Sequence, residues 1–213
     1  MRRIMVLALL VAGLAGMLWP QARAQEDYLV LALSWTPSWC EAEGAARGAA
    51  RCESGAGTGW LVHGLWPQHA DGGWPEFCDS AHPAPDRALL ARMGDVIGAS
   101  GLAAHQWRKH GSCSGLSPAA YFDQTREAFA ALTFPDTIQT EDAARRMPPE
   151  DLLAEFRAAN PGIGPDMVVL TCRAGRAQEI RLCLTSSLEP RRCDDQLLAR
   201  GCRAGEVRLP PRP

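Results

Sequence analysis

Eight cysteines constrain this 213-residue chain more than any other feature of its sequence. An even number of cysteines at this density is typical of four disulfide bridges in a protein from an oxidising compartment. The chain is also 46% hydrophobic, so it is long and apolar enough to bury a core as well. We therefore expect a globular fold with a packed core, held further by cross-links.

The N-terminal segment has the features of a secretory leader. Arg2 and Arg3 precede an almost unbroken apolar run over residues 4–18, and Ala22-Arg23-Ala24 supplies a small-x-small cleavage pattern. The sequence predicts a signal peptide over residues 1–24 and a single mature domain over 25–213. An uncleaved anchor is the alternative, but the run is short for a spanning helix. We expect a periplasmic or secreted protein with no membrane attachment after cleavage.

The charge balance excludes a protein that coats polyanions with its whole surface. The chain has 22 basic and 24 acidic residues. Without Arg2, Arg3 and Arg23, 19 basic residues remain against 24 acidic ones, a net charge of −5. Any attraction for a nucleic acid must therefore be local.

Hydrophobic patterns predict mixed secondary structure in one α+β domain. Strands are expected at residues 28–34, 60–66, 167–172 and 179–185, the last two forming a pair around the turn 173–176. Helices are expected at 85–97, 103–110, 117–132 and 149–159, and Ser117-Pro118 is a favourable helix start. The tail at 209–213 is expected to be loose, and Trp35, Trp60 and Trp107 to pack in the core.

Three of the five histidines fall in two compact clusters, residues 63–67 (HGLWP) and 105–113 (HQWRKHGSC). On a helix of about 100° per residue, positions 105, 109, 106 and 110 lie near 0°, 40°, 100° and 140°. Two imidazoles, an amide and an ammonium then share one arc, which is typical of a site rather than of a core.

Neither a metal site nor a serine nucleophile fits these clusters well. His105 and His110 are five residues apart, and the chain has no His-Glu-x-x-His, Cys-x-x-Cys or Gly-x-Ser-x-Gly sequence. Paired imidazoles with a lysine are instead suited to acid–base chemistry on a phosphate, and we predict no metal and no cofactor.

The two clusters resemble the active-site segments of the ribonuclease T2 family. The resemblance extends to residues 31–37 (LALSWTP) with Cys40, and to the late cysteines, so it covers most of the mature chain. It implies a central antiparallel sheet flanked by helices and stapled by disulfides.

The resemblance also implies how the cysteines pair, whereas spacing alone allows 105 pairings of eight cysteines. The implied bridges are Cys40 with Cys52, Cys78 with Cys113, Cys172 with Cys202, and Cys183 with Cys193. The bridge between Cys78 and Cys113 would fix the position of His110 relative to His63.

The resemblance implies a metal-independent endoribonuclease that cleaves single-stranded RNA through a 2′,3′-cyclic phosphate to 3′-phosphate ends. By analogy His110 is the base and His63 the acid, while His105 and Lys109 hold the phosphate. The need for a 2′-OH makes RNA the partner and excludes DNA. A monomer is expected.

One position departs from the family pattern, because Gln106 stands where the family has Glu. An amide can donate a hydrogen bond to a phosphoryl oxygen but cannot transfer a proton. The alternative function is therefore an RNA-binding or storage protein of the same fold with weakened catalysis. A disulfide-rich interaction module is a third possibility, but it does not explain both histidine motifs.

Trp66 and Gln68, which follow His63 in the sequence, are expected to bind substrate. Trp66 offers a face on which a base can stack, and stacking of this kind tolerates any base. Gln68 occupies the position where some relatives have an acidic residue that helps to select the base, so low base specificity is predicted.

Overall fold

The computed structural model describes residues 27–139 and 143–213. The predicted signal peptide lies outside the described residues. In chain order the elements are β1 (Tyr28–Trp35), α1 (Thr36–Trp39), β2 (Trp60–Gln68), α2 (Arg87–Arg92), α3 (Gly94–Ile97), α4 (Ser100–Lys109), α5 (Pro118–Ala130), β3 (Arg145–Met147), α6 (Pro149–Ala159), β4 (Val168–Arg173), β5 (Arg176–Leu184), α7 (Asp195–Leu198) and β6 (Val207–Leu209). Short turns of π-helix (Cys40–Gly44) and 3₁₀-helix (Ala50–Cys52, Gly111–Cys113, Asp136–Ile138) lie between them.

The strands form one sheet in which β1 lies between β2 and β5. Both of these pairings are antiparallel, as is the pairing of β4 with β5. The β4–β5 turn is the predicted one, and Ala174 and Gly175 both adopt positive φ there. The α+β fold with a sheet flanked by helices is confirmed, although β6 joins β5 in parallel at Arg176.

The two faces of the sheet have different roles because side chains alternate along a strand. Leu31, Leu33 and Trp35 of β1 point into the main core, where the helices pack. The residues between them point to the opposite face. Trp60 and Trp107 are also buried, so the prediction that these tryptophans and Trp35 belong to the core is confirmed.

Four disulfides cross-link the described chain, and they join the cysteines in the pairs that the resemblance implied. The bridges are Cys40 with Cys52, Cys78 with Cys113, Cys172 with Cys202, and Cys183 with Cys193. The bridge from Cys78 to Cys113 ties the loop after β2 to the turn that follows α4. The last two bridges hold the C-terminal segment against the strands β4 and β5, because Cys172 lies in β4 and Cys183 in β5.

Among residues 27–139 and 143–213, no helix has the length and apolar character needed to cross a membrane.

Two predictions about secondary structure are wrong. The tail is not loose, because β6 pairs with β3, and the Trp35 indole N–H donates a 3.0 Å hydrogen bond to the Pro210 carbonyl oxygen. The helix expected at 85–97 is two helices that meet at Met93–Gly94, where Met93 leaves helical geometry. The first begins only after Asp86, whose carboxylate caps it by accepting from the Leu89 N–H.

Candidate active site

A β-bulge presents His63. Leu33 pairs with Val62 and Ala32 pairs with Gly64, so His63 is an extra residue in the β1–β2 register. A bulge of this kind interrupts regular alternation and turns a side chain in a new direction. The imidazole of His63 lies on the side of the sheet that carries Trp66 and Glu179, and the bulge returns Leu65, three residues after Val62, to the main core.

The end of α4 brings the second cluster to the same place. His110 follows the last helical residue, and its N–H donates a 2.9 Å hydrogen bond to the Gln106 carbonyl oxygen. Gln106 and His110 are buried, whereas His105 and Lys109 are partly exposed. The predicted arc therefore divides into a deep pair and a pair nearer the solvent.

All seven side chains that sequence analysis assigned to catalysis or substrate binding line one cleft of about 210 Å³. They are His63, Trp66, Gln68, His105, Gln106, Lys109 and His110. A larger cleft of about 340 Å³ shares His63 with it. His63 therefore lies where the two clefts meet.

Trp66 lies between the two histidines. Its ring centroid is 5.3 Å from that of His63 and 5.3 Å from that of His110. Its indole N–H donates a 2.8 Å hydrogen bond to Oε1 of Gln106. A Cβ at Gly64 would lie 2.1 Å from that oxygen, so this contact requires glycine at position 64. Gln106 thus holds Trp66, and its amide nitrogen is the group that remains to donate elsewhere.

The surroundings of His110 disfavour its charged form. Burial, followed by the positive charges of Lys109 and His63, lowers the pKa of His110 to about 3. Its buried Nδ1 has no hydrogen-bond partner among the described residues. His110 is therefore a neutral imidazole at mildly acidic and neutral pH.

The mouth of the cleft carries local positive charge from Lys109 and the neighbouring Arg108. Burial, followed by these two charges, lowers the pKa of His105. Lys109 Nζ lies 3.3 Å from Oε2 of Glu76, a residue that the sequence did not point to. The Trp74 indole N–H also donates to this carboxylate oxygen, at 3.2 Å.

Gln68 reaches the cleft, but part of its side chain is already engaged. Its Nε2 donates a 2.8 Å hydrogen bond to the carbonyl oxygen of Pro67, in the same strand. Its carbonyl oxygen is the remaining group with which it could select a base.

Two residues of β5 complete the site and were missed by the sequence analysis. Glu179 is buried, and its Oε1 lies 2.6 Å from Nδ1 of His63. Arg181 bonds the other carboxylate oxygen and lies with its guanidinium 5.2 Å from the Trp66 ring centroid. Glutamate and arginine in a strand with no motif around them give no local signal of a site.

The geometry provides three imidazoles, a lysine and an aromatic face in one cleft. No group of three or more His, Cys, Asp or Glu side chains that could hold a metal ion occurs in the part of the chain that the structure describes. The ribonuclease T2 family model matches residues 26–193. The chain belongs to the ribonuclease T2 family.

Curated relatives of this T2-family chain include bacterial proteins. A probable ribonuclease of Haemophilus influenzae is 36% identical over 132 residues, which cover 57% of this chain and 48% of that protein. A ribonuclease of Aeromonas hydrophila is 37% identical over 91 residues, which cover 43% of this chain and 39% of that protein. The chain thus spans less than half the length of these two relatives.

Solved structures share the T2 fold along nearly the whole chain. An RNase-related protein from Calystegia sepium superposes with a TM-score of 0.69 at 20% identity, covering 89% of this chain and 99% of that one. RNase NT in complex with 5′-AMP has a TM-score of 0.61 at 20% identity, covering 88% and 99%. At such identities the likeness establishes the fold.

Proposed function

We propose that this protein is an exported, metal-independent endoribonuclease that cleaves single-stranded RNA to 3′-phosphate ends through a 2′,3′-cyclic phosphate. Family membership and the ribonuclease names of its relatives support RNA cleavage. RNase NT in its solved complex holds 5′-AMP, and a mutant of RNase MC1 holds 5′-UMP, which is consistent with a nucleotide in this cleft.

The contrast between the two histidines is the observation that carries the proposal. His110 is buried and neutral, so it can accept the proton of the ribose 2′-OH. His63 faces the Glu179 carboxylate through Nδ1, so a second proton on Nε2 would give an imidazolium beside a negative charge. Two titratable groups in such different environments suit the roles of base and acid.

The proposed reaction has two steps. In the first, His110 removes the 2′-OH proton, O2′ bonds to phosphorus, the P–O5′ bond breaks, and His63 protonates the departing O5′. In the second, His63 removes a proton from water, which attacks the cyclic phosphate, and His110 returns a proton to O2′. His105 and Lys109 offset the charge on the five-coordinate phosphorus.

Export and low base specificity are parts of the same proposal. The leader pattern over residues 1–24 and four disulfides support an oxidising compartment, periplasmic or extracellular. Stacking on Trp66 supports tolerance of different bases.

A second function, RNA binding or storage without efficient turnover, is favoured by Gln106, whose carbonyl oxygen is committed to Trp66. Digestion of a single-stranded RNA in EDTA separates the two. We expect cleavage with cyclic-phosphate and then 3′-phosphate ends. RNA that is retained but left intact would support the second function and overturn the first.

A further inference from the structure

Glu179 is a buried carboxylate on the cleft face of the sheet, with 4% of its surface exposed. Burying a carboxylate is costly unless the charge is paired and hydrogen-bonded. Here Oε2 accepts from Nε and Nη2 of Arg181 at 2.9 and 2.7 Å, while Oε1 lies 2.6 Å from Nδ1 of His63. Both of these close partners line the cleft.

The carboxylate is ionised at all pH values at which the protein would work. Burial acts to raise its pKa, but the hydrogen bond and charge of His63 and those of Arg181 outweigh it and lower the pKa of Glu179 to about 2. An ionised carboxylate only accepts hydrogen bonds, so Nδ1 of His63 must be the donor. The tautomer of His63 is thereby fixed, and Nε2 is the nitrogen left for chemistry.

The fold makes this contact possible across an intervening strand. Glu179 lies opposite Ser34 in the β1–β5 register, and His63 projects from the bulge on the far side of β1. The β1 residues between the two partners are Ala32 and Ser34, whose small side chains leave room for the contact. The Ser34 hydroxyl also lies 3.4 Å from Oε1 of Glu179.

We propose that Glu179 is a positioning residue that holds His63 as the general acid for RNA cleavage. The proposal rests on the function proposed above. Glu179 acts through His63 by fixing its tautomer and orientation and by balancing the charge of its imidazolium form. Arg181 holds the carboxylate in place and packs over Trp66. The same arginine therefore supports the ring proposed for base stacking and, through Glu179, the imidazole proposed for proton transfer.

The test uses two substrates that differ in their need for an acid. A dinucleotide such as UpA releases a 5′-alkoxide, which must be protonated, whereas uridine 3′-(4-nitrophenyl phosphate) releases a stable phenolate. Glu179→Gln keeps an oxygen that can accept from Nδ1 but removes the charge. We expect kcat for UpA to fall about 10- to 100-fold, which is part of the roughly 10²–10⁴-fold that positioned proton transfer contributes, because His63 itself remains in place. For the nitrophenyl ester we expect kcat to fall at most about 3-fold, because its stable phenolate leaving group needs little help from a general acid.

Glu43→Gln is a matched control, because Glu43 lines the larger cleft but pairs with Arg47 and Arg173. Glu43→Gln should leave the ratio of kcat for UpA to kcat for the nitrophenyl ester unchanged. Equal losses on both substrates in Glu179→Gln, with a lowered Tm, would indicate a purely structural role and overturn the proposal. Unchanged kcat on both would overturn it too. If the wild-type chain cleaves neither substrate, the proposed function itself fails.

Discussion

The indole N–H of Trp66 donates its hydrogen bond to Oε1 of Gln106, the one position in the second motif that departs from the family pattern. Glutamate at 106 could accept the same hydrogen bond, since a carboxylate oxygen would occupy the same place. The departure therefore changes the charge beside His110 rather than the support of Trp66. This relationship makes Gln106 the most informative position for mutation.

Gln106→Glu should raise turnover and shift the pH optimum upward. A buried carboxylate beside His110 would raise the pKa of that imidazole from about 3 toward its ordinary value, making it a stronger base. Gln106→Leu, which removes the acceptor for Trp66, should instead lower turnover. The measurement is kcat against pH for both variants. Unchanged or reduced turnover in Gln106→Glu would mean that Arg108 or Lys109 already supplies the missing stabilisation.

His63→Ala and His110→Ala should each remove nearly all cleavage, about 10²–10⁴-fold in kcat. Since both serve one proton circuit, the double variant should lose little more than either single one. His82→Ala, at an exposed histidine that does not line the cleft, is the control. More than a tenth of wild-type activity in His110→Ala would exclude it as the base. His105→Ala should mainly weaken phosphate binding and leave measurable turnover.

The dependence of kcat/KM on pH should be bell-shaped with its optimum on the acid side. Activity needs a neutral His110, and its pKa of about 3 places the acid limb of the bell in that region. The alkaline limb reports loss of the proton from the acid. A profile that stays flat well into the alkaline range would contradict a mechanism with two histidines.

Stability should fall as the pH is lowered from about 6.5 toward 3, in part because of His110. Its pKa is about 3 when folded against 6.5 in the reference state, so the unfolded chain binds the extra proton in this window. At a pH of about 4.5 this amounts to roughly 2–3 kcal/mol. When the pH is lowered from neutral into this window, the Tm of His110→Asn should therefore fall less than the Tm of the wild type. Parallel Tm curves for wild type and variant would refute this, and His82→Asn should follow the wild type.

Glu76→Gln should tighten RNA binding at low salt. The Glu76 carboxylate lies 3.3 Å from the Lys109 ammonium and competes with a phosphate for it. We expect KM for RNA to fall a few-fold, and the difference to shrink at high salt because exposed charges are screened. Glu53→Gln, at another exposed carboxylate, should not change KM. An equal decrease in both variants would point to overall charge and not to Lys109.

The elements that could be predicted from sequence are those with a local signal of their own, such as an apolar run in a strand or a favourable start for a helix. Strands β1, β2, β4 and β5 and helices α4 to α6 fall in this class. Strands β3 and β6 do not, because a segment of three residues such as Arg145–Met147 is too short to show a pattern. β3 is a strand through its pairing with β6, and β6 through its pairing with β3 and β5.

The same distinction holds within the site. The residues from the two motifs were found because His63 and His110 stand in recognisable local sequences. Glu179 could not be found in this way. The contact of Glu179 with His63 depends on the register of β5 against β1 and on the bulge in β2. The residues next to Glu179 in the sequence predict neither of these features.

The bulge at His63 also puts the two halves of β2 out of phase. Val62 and Leu65 both belong to the core although they are three residues apart, an odd interval that ordinary strand alternation forbids. Deleting one residue between them would restore regular alternation. Only one residue would then remain between Val62 and Leu65. That residue could not be both the histidine of the site and the glycine that the contact between Gln106 and Trp66 requires. Among T2-family sequences, length changes between positions 62 and 65 should therefore be rarer than substitutions at 62 and 65 themselves.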